Sequence, residues 1–125
     1  MDGLYSNLEE LQGLRSVFTH EFLEEAEQIW TDDELAEFTD YIARNPEAGA
    51  LIPGLGGTRK IRWSRAGMGK RGGVRVIYYY YDERLPIVLF DVYTKSAKDD
   101  IDPKGKKAIL KAVATIKAGL KERDK

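Results

Sequence analysis

Apolar positions in the first half of the chain recur with the spacing of amphipathic helices. Across residues 19–30 they fall three and four positions apart, and glutamates fill the positions between them. A second helix is predicted after Thr31, because Thr31 and Glu34 have the spacing of a capping box, and Asn45 and Pro46 end it. The pattern therefore predicts a helical hairpin with an acidic outer surface.

The residues before this hairpin have a weaker pattern. Leucines recur at helical spacing within residues 1–14, but glycines bracket this short piece, so it is interpreted as a possible N-terminal extension. Residues 14–18 are interpreted as a short strand.

After the hairpin the hydrophobic period changes from that of helices to that of strands. Residues 46–57 are rich in glycine and proline and are predicted to form a loop. Three runs rich in β-branched and aromatic residues follow at 58–64, 74–81 and 87–94. Their short connections predict an antiparallel meander.

A last helix is predicted from Asp102, which suits the N-cap, and Pro103, which suits the first turn. Its predicted apolar face consists of Ile109, Leu110, Val113, Ile116 and Leu120. The whole order predicts an α+β fold in which a helical hairpin packs on an antiparallel sheet, with a C-terminal helix. At 125 residues, one domain spanning 1–125 is expected.

Composition narrows the possible chemistry. The chain has no cysteine, which excludes disulfides and thiolate sites, and its one histidine, His20, leaves little scope for metal or histidine-based catalysis. No cofactor or metal is expected. The sequence has no apolar stretch long enough for a membrane span and no signal-peptide pattern, so a soluble cytoplasmic protein is expected.

Charge is strongly segregated along the chain. Residues 1–57 carry a net charge of −11, residues 58–81 carry +7 with no acid at all, and the remainder carries +3. A basic stripe without acids favours binding to phosphate groups, even though the net charge of the whole chain is −1.

Strand alternation places most of this charge on one sheet face, while Ile61 and Trp63 should face the helices. In the last strand, Val88, Phe90 and Val92 are expected to oppose Asp91 and Tyr93. The side chains predicted to share the open, cationic face are Lys60, Arg62, Arg75, Asp91 and Tyr93, flanked by Lys70, Arg71 and Lys95.

Such a face could cleave RNA through its own 2'-hydroxyl, which needs a proton acceptor, a proton donor and positive charge at the phosphate. Crowding by Arg62 and Arg75 is expected to lower the pKa of Lys60, which makes Lys60 a candidate base. The alternative is that this face is simply solvated. Asp91 is expected to pair with a neighbouring arginine, and at least two tyrosines of the run 78–81 are expected to pack in the core.

Three segments, 57–62, 67–79 and 92–95, resemble the HigB-like branch of the RelE toxins. The resemblance implies the RelE-like fold and a type II toxin that cleaves translated messenger RNA on the ribosome. It also implies a cognate antitoxin, HigA-like with a helix-turn-helix, as partner. Lys60 and Arg62 match the paired basic residues of the family, and Arg75 matches its phosphate-stabilising arginine.

The stretch 96–101 departs from the family pattern, because it holds neither the arginine nor the tyrosine that many members have there. A catalytically inactive RNA- or ribosome-binding protein of the same fold is therefore the alternative. A plain protein interaction module is a third possibility. The candidate catalytic residues are Lys60, Arg62, Arg75, Tyr93 and Lys95, and the candidate RNA-binding residues are Arg59, Lys70, Arg71, Tyr79 and Lys98.

Overall fold

The computed structural model of the protein describes residues 15–63 and 73–123, so residues 1–14 and most of the glycine-rich connection lie outside the described residues. Within these two ranges, no helix combines the length and the hydropathy that a membrane span requires. The α+β class is confirmed. The elements, in chain order, are β1 (Ser16–Phe18), α1 (His20–Ile29), α2 (Asp32–Arg44), β2 (Ala50–Leu51), β3 (Thr58–Trp63), β4 (Val74–Tyr79), β5 (Ile87–Thr94) and α3 (Pro103–Arg123).

Side-chain caps fix the starts of the two hairpin helices. The Thr19 hydroxyl accepts a hydrogen bond from the Phe22 amide at 3.1 Å and caps α1. At the start of α2, Thr31 and Glu34 form the predicted capping box, in which each side chain accepts from the other residue's backbone N–H. These bonds satisfy amides that have no partner inside a helix.

The sheet is mixed, with strand order β1-β5-β4-β3-β2. The predicted antiparallel meander of β3, β4 and β5 is confirmed. β1 pairs parallel to β5 at one edge. The prediction of a loop throughout 46–57 is wrong at Ala50–Leu51, which pair with Arg59 and Lys60 and extend the opposite edge.

One face of the sheet packs against the helical hairpin. Phe22, Phe38 and Ile42 are fully buried there against strand residues such as Val76. Aromatic rings link the layers: Trp30 stacks on Phe38 with 5.3 Å between ring centroids, and Phe38 meets Trp63 edge-on at 5.2 Å. This face holds the larger apolar core.

The other face packs against α3 and forms a second cluster. Its buried members are Leu55, Ile77, Tyr79, Phe90, Tyr93, Ile101, Ile109 and Val113. The predicted apolar face of α3 is wrong at one position, because Leu110 is 42% exposed. Ile109 and Val113 lie four positions apart and so share the face of α3 that is buried against the sheet. Leu110 is one position further around the helix, at the border of that face.

The alternation predicted for β5 is also partly wrong. Ile77 pairs with Asp91 but Tyr78 pairs with Leu89, so Phe90 is an extra residue that forms a β-bulge. The bulge reverses the faces of the residues before it. Leu89 therefore lies on the hairpin side, whereas Val88 and Phe90 pack on the α3 side.

Candidate nucleic-acid interface

A row of three side chains crosses the meander one residue from the end at which β3 leads toward β4. Arg62 on β3 lies directly opposite Arg75 on β4, and Arg75 lies directly opposite Tyr93 on β5. The neighbouring row consists of Lys60, Ile77 and Asp91. Directly opposed residues share a sheet face, so these charged side chains lie together as strand alternation predicts.

The face is open only on its β3 side. Arg62 is exposed and Arg75 is half-buried, whereas Tyr79 and Tyr93 are each 3% exposed beneath α3. The prediction of a wholly open cationic face is therefore wrong. Ile77 and Tyr79 project from the same face, and burying them under α3 removes apolar surface from water.

The two arginines have no acidic partner within residues 15–63 and 73–123. Like charges placed directly opposite each other on adjacent strands destabilise a sheet. A guanidinium pair in this arrangement presents several N–H donors toward one side and can bind a phosphate in bidentate fashion. The exposed Lys95, just after β5, is likewise unpaired within the described ranges.

Lys60 forms an ion pair with Asp100, a residue that strand alternation could not identify as its partner. Its Nζ lies 3.8 Å from Asp100 Oδ1, and Lys106 Nζ lies 3.9 Å from Asp100 Oδ2. Asp100 sits in the connection between β5 and α3, and Lys106 is in the first turns of α3. Lys60 was predicted as a base because Arg62 and Arg75 crowd it with like charge. The Asp100 carboxylate offsets that crowding.

Asp91 pairs with a lysine instead of the predicted arginine. Its Oδ2 lies 2.9 Å from Lys98 Nζ, and its Oδ1 accepts a hydrogen bond from the Val92 amide. Lys98 Nζ also stands 4.8 Å from the centroid of the Tyr93 ring. The turn after Thr94, whose carbonyl accepts from the amides of Ala97 and Lys98, brings Lys98 back over β5.

Tyr93 has the most perturbed environment of this group. Its hydroxyl is buried and makes no hydrogen bond within the described parts of the chain. Burial raises the pKa of Tyr93 to about 12, with the negative charges of Asp100 and Asp91 adding to the rise and Arg75 opposing it. The phenol is therefore protonated at neutral pH, and it can donate a proton there but not accept one.

Two of the candidate RNA-binding residues, Arg59 and Tyr79, are not available on the open part of this face. Arg59 projects from the opposite sheet face, where it donates hydrogen bonds to the carbonyls of Gly49 at 2.7 Å and Glu47 at 3.2 Å. Burial under α3 keeps Tyr79 from stacking on a base. Lys70 and Arg71 lie outside the described residues.

A groove with a volume of about 640 Å³ opens beside Tyr93, between α1 and the start of α3. Glu21 and Glu25 line its α1 side, and Phe90 and Ile109 lie among its apolar residues. No cluster of three acidic or histidine side chains suited to a metal ion occurs in 15–63 and 73–123.

No family model matches the sequence. The chain is similar to the free E. coli toxin RelE, solved as a double arginine-to-alanine mutant, with a TM-score of 0.52 and 20% identity over 70% of this chain and 90% of that one. It is also similar to a chain of the intact E. coli RelBE toxin-antitoxin complex, with a TM-score of 0.48 and 19% identity over 65% of this chain and 95% of that one. The first likeness confirms the fold that the sequence resemblance implied, and the HigB branch stays a prediction.

Proposed function

Because this chain has the RelE fold, we propose that it is the toxin of a type II toxin-antitoxin pair and a ribosome-dependent endoribonuclease. The observation that carries the proposal is the opposed pair Arg62 and Arg75, which lacks an acidic partner within the described residues. A folded protein gains nothing in stability from this pair. The arginine pair is instead suited to binding a group of opposite charge.

RNA supplies that group as a backbone phosphate. Charge-assisted hydrogen bonds from guanidinium groups to phosphate are among the stronger hydrogen bonds in proteins. Arg75 is half-buried, so its charge is less screened by solvent than that of a fully exposed arginine. Arg62 and Arg75 together are proposed to hold the scissile phosphate and to stabilise the extra negative charge of its transition state.

The proposed reaction needs no external cofactor. The RNA 2'-oxygen attacks the adjacent phosphorus, its proton passes to a base, and the bond to the 5'-oxygen of the next nucleotide breaks. That leaving oxygen takes up a proton from an acid. Lys60 is proposed as the base, and Tyr93 or Lys95 is proposed as the acid.

Each proton-transfer role carries a structural condition. Lys60 must leave its ion pair with Asp100 and give up one ammonium proton before it can accept the proton of the 2'-hydroxyl. Tyr93 is protonated at neutral pH, as an acid must be, but its hydroxyl is buried, so the connection between β5 and α3 must open for it to reach RNA. Lys95 is exposed and needs no such opening.

The proposal extends to partners. A cognate antitoxin, HigA-like as the sequence resemblance implies, is proposed to neutralise the protein, and the ribosome is proposed to position the message. A site that contains no histidine base gains from having its substrate held in place. The acidic outer surface of α1 and α2 would offer a basic partner a complementary charge.

A second candidate function is an RNA- or ribosome-binding protein without cleavage activity. Two observations favour it: residues 96–101 contain neither arginine nor tyrosine, and the Tyr93 hydroxyl is buried. Both candidates require Arg62 and Arg75 for binding, and only the first produces new message ends.

Primer-extension mapping of message ends after induced expression in a bacterial host separates the candidates. Wild-type protein, Arg75→Gln and the control Lys111→Gln would be compared, since Lys111 is an exposed residue of α3 away from the arginine pair. Codon-phased breaks that vanish in Arg75→Gln and persist in Lys111→Gln support the endoribonuclease. Intact messages with ribosome binding that depends on Arg75 support the silent binder, and intact messages without such binding refute both.

A further inference from the structure

One carboxylate of this protein holds two lysines that come from different elements. Lys60 on β3 and Lys106 on α3 lie 3.8 Å and 3.9 Å from separate oxygens of Asp100. The sheet and the C-terminal helix therefore bring two ammonium groups to the same small region, on the accessible β3 side of the charged face. Strand alternation alone accounts only for Lys60.

The Asp100 side chain is held in this position by the backbone amide of the next residue. Its Oδ1 accepts a hydrogen bond from the Ile101 amide at 2.8 Å, and the Ile101 side chain is buried in the cluster beneath α3. That hydrogen bond is the main cause that holds the pKa of Asp100 below its ordinary value, and Lys60 and Lys106 add to the effect. The carboxylate is therefore a permanent negative charge at neutral pH.

The ion pairs themselves are weak. About half of the Asp100 side chain is exposed, as are 37% of Lys60 and 43% of Lys106. Exposed pairs at such distances contribute little to stability and are screened by salt. When one RNA phosphate is bound at the arginine pair, the phosphate next to it can therefore replace the carboxylate as the partner of these lysines at small cost.

We propose that Lys106 and the charged form of Lys60 make up a second phosphate subsite, beside the one at Arg62 and Arg75, which binds RNA before Lys60 gives up a proton for the reaction. The Asp100 carboxylate occupies this subsite in the RNA-free protein. The inference rests on the proposed function, because it assigns the subsite to an RNA backbone. Lys60 is two residues from Arg62 on the same strand face, about 6.8 Å along the strand. The flexible lysine side chains can thus reach a phosphate next to the one that the arginines bind.

RNA binding by the full-length protein tests the subsite directly. The probe is a single-stranded RNA whose 2'-hydroxyls are methylated, so that it cannot be cleaved, and its affinity is measured by fluorescence anisotropy over a range of salt concentrations. Lys106→Gln is compared with Lys107→Gln, which removes the same charge from an exposed neighbour that has no ion pair in the described ranges. Asp100→Asn is compared with Asp99→Asn for the same reason.

Lys106→Gln is expected to weaken binding about threefold to fivefold at low salt and to reduce the slope of log affinity against log salt by about 0.7, the value of one phosphate contact on a single strand. Lys107→Gln should change neither by as much. Asp100→Asn is expected to tighten binding more than Asp99→Asn does. Its amide oxygen can still accept the Ile101 hydrogen bond, so the connection to α3 should keep its conformation.

Equal effects of Lys106→Gln and Lys107→Gln would overturn the subsite. Weaker binding in Asp100→Asn would also overturn it, because Asp100 would then position the lysines rather than take the place of a phosphate. Arg75→Gln in the same assay separates this failure from failure of the proposed function. If Arg75→Gln loses binding while Lys106→Gln does not, only the subsite is wrong, and if the wild-type protein binds no RNA, both proposals are wrong.

Discussion

Arg62 and Arg75 face each other directly across β3 and β4, and neither has an acidic partner in the described residues. Their mutual repulsion is a cost to the folded state, because no ion pair with a described residue offsets it. Residues retained against stability commonly serve binding or catalysis. The pair therefore allows a prediction in which stability and activity change in opposite directions.

Replacing one arginine of the pair should stabilise the folded protein but weaken its RNA binding and message cleavage. Arg62→Gln is expected to raise the free energy of unfolding by on the order of a few tenths of a kcal/mol, because the cross-strand repulsion disappears. Message cleavage and RNA binding should both fall. Urea unfolding and primer extension on the same preparation measure the two effects, with Lys111→Gln as a control expected to change neither. A fall in both stability and activity would contradict the prediction.

Arg59 should prove structural, although the sequence places it in the basic stripe. Its guanidinium bonds to the carbonyls of Glu47 and Gly49 on the face away from the arginine pair. Hydrogen bonds to a charged group contribute about 1.5–3 kcal/mol, so Arg59→Met should lower the free energy of unfolding by about 1–2 kcal/mol. RNA affinity of the folded variant, measured by anisotropy, should stay close to that of the wild type. A large loss of affinity without a loss of stability would return Arg59 to the interface.

Tyr78 should hold the loop between α2 and β2 in place. Its hydroxyl donates to the Pro46 carbonyl and accepts from the Gly49 amide, both at 2.8 Å, and the side chain is fully buried. Tyr78→Phe leaves both backbone groups without this partner, so we expect a loss of about 1–3 kcal/mol in the free energy of unfolding. Tyr81→Phe, at a position that is 43% exposed, is the matched control. The free energy of unfolding of both variants is measured by chemical denaturation. An equal loss in Tyr78→Phe and Tyr81→Phe would show that the two buried hydrogen bonds are unimportant.

Tyr93 should make the protein sensitive to alkaline pH. Its pKa is raised to about 12 from 10.0, so the folded state favours the protonated phenol. The associated stability is fully present below about pH 10 and is lost as pH rises toward about 12. Tyr93→Phe should therefore lose less stability than the wild type between about pH 9 and about pH 11.5, as measured by urea unfolding. An identical loss in both proteins would show that Tyr93 does not contribute.

The sequence predicts the elements well because each depends on local patterns. The capping box at Thr31 and the proline at the start of α3 mark helix ends within a few residues, and alternation brings Lys60, Arg62 and Arg75 to one face. Alternation fails at Phe90 and in the residues before it, because a bulge adds one residue to β5. Both faces of β5 carry apolar residues there, so no short sequence pattern marks the bulge.

The missed parts of the candidate site depend on distant contacts. Asp100 and Lys106 reach Lys60 only because α3 packs back across the sheet. The available signal was the short distance along the chain from Asp100 to the helix start at Pro103, which keeps the first turns of α3 near the end of β5. The burial of Tyr79 and Tyr93 follows from the same packing, and a charge pattern cannot reveal it.

The parallel pairing of β1 with β5 bears on how the protein is made. Thr19 and Phe90, joined by a hydrogen bond, are 71 positions apart in sequence, so the edge of the sheet closes only after most of the chain has been synthesised. Arg75 likewise meets Tyr93 only when β5 is present. Non-local pairings of this kind form late in folding. A nascent chain whose β5 is still inside the exit tunnel therefore lacks the pairing of Arg75 with Tyr93. Under the proposed function, such an unfinished chain would not yet hold a complete site for RNA.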